Sequence, residues 1–303
     1  SGAAELVTES AGKESFRHEE IASENLFERY VGGGLYRAEG PWETARLFLS
    51  DRQSVRRAAE DILSARLIAD EITQEWGKPL GRVAMVARDP WCRRFLAEAL
   101  GKIGGDESVR YLNNILSDED PTVVSYALQS LVLHDQRTAV AMAKTLCAHE
   151  SARVRAAVAT ALGVAKSPDG LPLVARLLTD KDAEVRRSAA SALKAIPGDG
   201  VDALLLKVLE DESDSVRGAA ANALVSRGNK AGVGELIKIL RHPNWVTAGE
   251  AHKTLVRATN RPIDAKNASE WDAWWSEAGE SFSLDRYMKI APLLMEARKA
   301  YYD

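Results

Sequence analysis

Histidines, cysteines, acidic side chains and glycine-rich turns are the places where this chain could do chemistry. His134, His242 and His252 are scattered and lack metal-ligand spacing with one another. Cys92 and Cys147 are the 2 cysteines of 303 residues, too few for a disulfide framework. Gly32-Gly33-Gly34 lacks the following lysine and the helix opening of a phosphate loop, and reads as a flexible joint. No Ser/His/Asp set and no paired carboxylates with a defined pocket stand out. The sequence therefore assigns no catalytic residue, no metal ligand and no cofactor.

The elements that must position any site are much clearer. Leu100, Leu131, Leu162, Leu193, Leu224 and Leu255 recur at a constant spacing of 31. Eight residues before them stand Cys92, Val123, Val154, Val185, Val216 and Thr247. Four before them stand Leu96, Ala127, Val158, Ala189, Ala220 and Ala251. Offsets of three and four place these positions on one helix face, apolar and mostly small, as close helix packing needs. A preceding helix runs through Leu112, Ala143, Val174, Leu205 and Leu236 in the same step. Polar turns such as Ser117-Asp118-Glu119-Asp120-Pro121 join the two, with aspartate and serine suited to capping the next helix. Gly104-Gly105, Pro197-Gly198 and Gly228 break the chain after the second helix. An earlier unit carries Val55, Ala59 and Leu63, so about seven helix–turn–helix units fill 42–259.

The expected fold class is all-α, an α-solenoid in which neighbouring pairs stack into one core. Residues 1–20 read as a flexible tail without a charged-then-apolar leader, and 21–41 as an N-terminal helix (Ile21–Tyr30) plus the glycine joint. Residues 260–303 read as C-terminal cap helices. Apolar residues at 46% and charged residues at 28% suit a soluble globular protein, and a net charge of −4 excludes a protein working through a strongly basic field. No apolar run is long enough to span a membrane.

The second helices read Ser151-Ala152-Arg153-Val154-Arg155-Ala156-Ala157, Ala183-Glu184-Val185-Arg186-Arg187-Ser188-Ala189-Ala190 and Asp214-Ser215-Val216-Arg217-Gly218-Ala219-Ala220. They resemble the D-x-x-V-R-x-x-A-x-x-A-L pattern of HEAT repeats, the variety shared with phycobilisome-lyase-type repeat proteins. Arg56, Arg93, Arg155, Arg186 and Arg217 follow the frame valine position. They could form an anion-binding stripe, or each could pair with a turn aspartate of an adjacent repeat, as the resemblance implies. Abundant acidic turns and the negative net charge favour pairing, which argues against a phosphate-binding groove. HEAT-like deoxyhypusine hydroxylases hold two irons on repeated His-Glu pairs. Here His149-Glu150 stands alone in the frame, with His18-Glu19 in the tail, so no iron site is expected. Cys92 and Cys147 replace apolar frame residues two repeats apart, too far to bridge, and should be buried thiols. That leans toward a reducing compartment, cytoplasmic rather than periplasmic.

Trp271, Trp274 and Trp275 meet on one helix face, which Ser269 or Asn267 can cap. Many bacterial HEAT-like proteins look similar here, although this chain has Asn260-Arg261 where a glycine is usual. The tryptophans read as a lid on the last repeat, with an aromatic patch for a sugar or protein as the alternative. A final helix is expected over Ser283–Tyr302.

The first functional expectation is a non-catalytic scaffold holding another protein or a peptide segment, with no nucleic acid and no membrane insertion. Its groove would be the solvent side of the second helices, lined by Arg94, Glu98, Ser125, Gln129, Thr160, Arg187, Ser191, Asn222 and Lys253 at six and two residues before the frame leucines. The alternative, implied by the resemblance, is a lyase or isomerase acting on a bilin, a linear tetrapyrrole.

Overall fold

The structure, a computed structural model, describes residues 40–284 except 262, 265 and 266. The expected tail, the N-terminal helix with its glycine joint, and the final helix beyond residue 284 lie outside the described residues. Among those described, every regular element is helical, with no strand. Seven helix pairs follow one another: α1 (Pro41–Leu47) with α2 (Gln53–Ile68), α3 (Gly77–Val86) with α4 (Pro90–Ile103), α5 (Gly105–Ile115) with α6 (Pro121–Leu131), α7 (Gln136–Leu146) with α8 (Ala152–Ala165), α9 (Leu171–Leu177) with α10 (Ala183–Ala192), α11 (Val201–Val208) with α12 (Asp214–Ser226), and α13 (Ala231–Ile239) with α14 (Trp245–Thr259). A single helix, α15 (Ala268–Ala278), follows. The chain divides into two compact units, Ser1–Met142 and Ala143–Asp303.

In the first unit α4 packs on α6 and α3 on α5. The frame residues Leu63, Cys92, Leu96, Leu100, Val123, Ala127 and Leu131 are fully buried. Asp89 and Asp120 cap α4 and α6, accepting from Trp91 N at 3.0 Å and Thr122 N at 2.7 Å. Pro90 and Pro121 then occupy the first helical position, where a missing N–H costs nothing. Gly104 ends α4 at φ +67°, where a side chain would also strike the His134 ring. His134 Nε2 hydrogen-bonds the Gly101 carbonyl at 2.5 Å.

In the second unit the second helices pack in series: α8 on α10, α10 on α12, α12 on α14. Leu162, Leu193, Leu224 and Leu255 are buried. Asp182 and Asn244 cap α10 and α14, accepting from Glu184 N and Val246 N, each at 2.9 Å. Serine does not share this work. Ser151 and Ser213 make no side-chain cap bond; Ser213 Oγ instead faces Ser215 Oγ at 2.9 Å. Nor do Asn267 and Ser269 cap α15: the Asn267 amide donates to Glu270 and Ser269 Oγ bonds Asn267 Oδ1 at 3.1 Å. Asn260 ends α14 in the left-handed region (φ 54°, ψ 31°), the conformation a glycine takes at low cost. Trp271 is fully buried and Trp274 nearly so, in one core with Leu236, Ile237, Leu255 and Ala258.

Candidate binding groove

The arginine series is consumed by the fold. Arg155 donates through Nε and Nη2 to Asp180 at 2.6 and 2.8 Å, and through Nη1 to the carbonyls of His149 and Glu150, both at 2.8 Å. Arg186 repeats the arrangement one pair later on Asp211 at 2.7 and 3.0 Å, with the Asp180 carbonyl taking Nη1 at 2.9 Å. Arg93 does the same on Asp118 in the first unit, at 2.7 and 3.0 Å. Each such aspartate thus receives one arginine on its carboxylate, and Asp180 and Asp211 receive the next arginine on their carbonyls. The guanidinium of Arg155 beside Asp180 holds that carboxyl below its usual range. Arg56 binds Asp89 at 3.1 Å and the Ser50 carbonyl. Arg217 departs from the pattern, since position 242, where the aspartate would fall, is histidine. Arg217 turns instead to Glu235 at 2.7 Å and to Asp214. These neutralised cations, three of them buried, offer nothing to a phosphate.

Histidine serves the same turns. His149 Nδ1 accepts from Ser151 N and His242 Nδ1 from Asn244 N, both at 3.0 Å, as the aspartates do elsewhere. Among the described residues no group of histidine, cysteine and carboxylates could hold a metal ion. Cys92 and Cys147 are free thiols and buried. Burial, helped by the Asp89 charge, pushes the Cys92 thiol up to about 12.

What remains is a cavity of about 740 Å³ in the second unit, walled by α10, α12 and α14. It gathers four of the nine residues expected from the sequence: Arg187, Ser191, Asn222 and Lys253. Its floor includes Gly218, Ala219, Ala223 and Ala251, where a missing or minimal side chain leaves room. Glu184 and Glu250 pair within their own helices with Arg187 and Lys253. Asn222 Oδ1 and Ser226 Oγ are buried with no hydrogen-bond partner among the described residues, so the fold leaves two polar groups of this wall unsatisfied. Lys194, Ser226 and Arg257 also line the cavity and escaped the sequence reading. The signal was present: one or two residues after the frame leucines, they continue the same helix stripe by one turn.

The other expected residues lie elsewhere. Thr160 is exposed on α8, its hydroxyl on the Ala156 carbonyl at 3.1 Å, outside the cavity wall. In the first unit Arg94 lies over the rings of Trp91 and Tyr126, 4.1 and 4.9 Å from their centroids, and pairs with Glu98 at 3.7 Å. Gln129 is exposed. Ser125 is not on a solvent face at all: it is buried, its hydroxyl donating to the Pro121 carbonyl at 2.6 Å. Of the three tryptophans, only Trp275 stays partly open, against Trp274 and Phe282. A second hollow beside Trp274, of about 640 Å³, contains Arg261, whose guanidinium lies 4.8 Å from the ring centroid.

This is an all-α helical-repeat protein. HEAT repeats are recognised at residues 109–194 and 138–224. Similar structures include YibA of E. coli (21% identity, 76% of this chain and 90% of that one, TM-score 0.50). They also include the CpcE–CpcF complex of phycocyanin lyase from a Nostoc species (23%, 80% and 98%, TM-score 0.48) and human deoxyhypusine hydroxylase (14%, 70% and 93%, TM-score 0.29). At 21% identity the likeness to YibA is one of fold. No curated protein matches in sequence. Among the described residues no helix is long and apolar enough to cross a membrane.

Proposed function

We propose that the chain is a non-catalytic scaffold that holds a segment of another protein along its second helices, with the cavity of the second unit as the seat. The observation that carries this reading is the wall built from α10, α12 and α14. Three successive helices roughly 8–10 Å apart make a trough long enough for a peptide and lined by polar and small side chains. A small-molecule site would instead close apolar and aromatic side chains around its ligand. The bilin-lyase alternative calls for such an apolar pocket, and a wall of four cations, two carboxylates and small residues supports it less well. Nucleic acid is likewise disfavoured, because the repeat arginines are neutralised within the fold.

The test is affinity capture with Arg187→Glu combined with Lys253→Glu. The double variant should lose partners that the unaltered chain recovers while keeping its melting temperature. Equal recovery would refute the assignment of the groove, and a visible-absorbance change on mixing the unaltered chain with a bilin would favour the alternative.

A further inference from the structure

The groove carries an uneven charge. Arg187, Lys194, Lys253 and Arg257 line it against Glu184 and Glu250. Both carboxylates are already engaged, Glu184 by Arg187 and Glu250 by Lys253, the latter at 3.0 Å. Lys194 and Arg257 are therefore left without a carboxylate partner among the described residues, and both are exposed. They do not merely reflect a basic protein, since the chain as a whole has a net charge of −4.

Their placement is also ordered. Lys194 follows the end of α10, Ser226 is the last residue of α12, and Arg257 lies in the last turn of α14. One edge of the groove thus presents two cations, from the first and third of three successive second helices. Ser226 lines the groove between them, its Oγ buried and without a hydrogen-bond partner among the described residues. Beside this edge the floor is glycine and alanine, close enough to admit apolar side chains or a peptide backbone.

We propose that this groove takes an acidic segment of a partner protein, its carboxylates on Lys194 and Arg257 and its apolar side chains over the small-residue floor. The proposal rests on the scaffold reading above and adds the sign of the partner's charge. Polyanionic nucleic acid fits less well, because it is held by a longer run of unpaired cations interleaved with stacking aromatics, and no aromatic residue lines this wall.

The test is fluorescence anisotropy on the full chain with three labelled probes: a peptide pool of glutamate, leucine, serine and glycine, the same pool with lysine for glutamate, and a single-stranded oligonucleotide. The glutamate pool should bind, more weakly as salt rises, and Lys194→Glu with Arg257→Glu should weaken it by about tenfold. Lys194→Met with Arg257→Met should give a smaller loss in the same direction. Because both side chains are exposed, the variants should melt like the unaltered chain, so a loss of binding reports on the groove. Equal binding of the lysine pool, preference for the oligonucleotide, or indifference of the glutamate pool to both double variants would overturn the proposal. The two readings fail separately: any of these results together with partner loss in Arg187→Glu/Lys253→Glu sinks the acidic partner and keeps the groove, whereas unaltered capture by that variant sinks the groove itself.

Discussion

A guanidinium withdrawn from water is tolerable only when its donors are met, and Arg155 shows how the repeat meets them. Four hydrogen bonds fix it, two to the Asp180 carboxylate and two to turn carbonyls of its own repeat. The repeat pitch sets the partner, which is why it falls 25 residues on in all three regular cases. Asp180→Asn keeps the shape but removes the charge, and should cost about 2–3 kcal/mol at neutral pH. Since the Asp180 carboxyl lies lower in the folded chain than unfolded, through the Arg155 hydrogen bonds, its contribution is complete above its unfolded pKa of about 3.9. It is lost as pH falls through the lower folded value. Urea unfolding of the two proteins should thus differ most near neutrality and converge in acid as Asp180 takes up its proton in the folded chain. A gap that persists there would mean the carboxylate charge is not what matters. Cys92 offers a second check at this scale: a fully buried thiol pushed up to about 12 has almost no thiolate at neutral pH. Neither cysteine should react with a thiol reagent in the folded chain, and both should in denaturant; prompt native labelling would contradict their burial.

Helices here are placed by how closely they approach, and close approach is set by small residues. Gly232 in α13 lies so near the Ala221 carbonyl of α12 that an added Cβ would overlap it. The backbone atom cannot swing aside as a side chain would. Gly232→Ala should therefore destabilise by about 1–3 kcal/mol, although alanine is the better helix former by about 1 kcal/mol. A rise in melting temperature would show that α12 and α13 can part without cost. The ends of the helices follow a different logic, in which aspartate and asparagine cap α4, α6, α10 and α14. Serine was expected to share that role and does not: Ser213 Oγ meets Ser215 Oγ at 2.9 Å and takes no backbone N–H of α12. At α15 the expected caps bond each other and Glu270. What holds that helix is burial, with Trp271 sealed under it against Leu236 and Leu255.

At the scale of the whole chain, what was legible in the sequence was what burial constrains. An interior position accepts few residue types, so the leucines at intervals of 31 and the mostly small residues four before them announce six helix pairs, and Leu63 with Val55 and Ala59 announces the seventh, 37 residues before Leu100. The Arg–Asp pairing was readable for a similar reason, since each partner needs the other at one fixed offset. A solvent-facing groove position accepts many residue types, so helix geometry could place Arg187, Ser191, Asn222 and Lys253 but could not say that Ser125 turns inward. In an array each pair leans on its neighbours and little else, so a local defect should stay local. Leu193, fully buried directly after the last residue of α10, provides the test. Leu193→Ala should cost about 2–5 kcal/mol and leave a void between α10 and the helices packed on it. Amide hydrogen exchange should then rise most in α8, α10 and α12, which are in direct contact, and much less in α15, which packs on α13. Uniform acceleration through 143–284 would mean that the second unit opens as one cooperative body, and that its repeats do not hold one another as nearest neighbours.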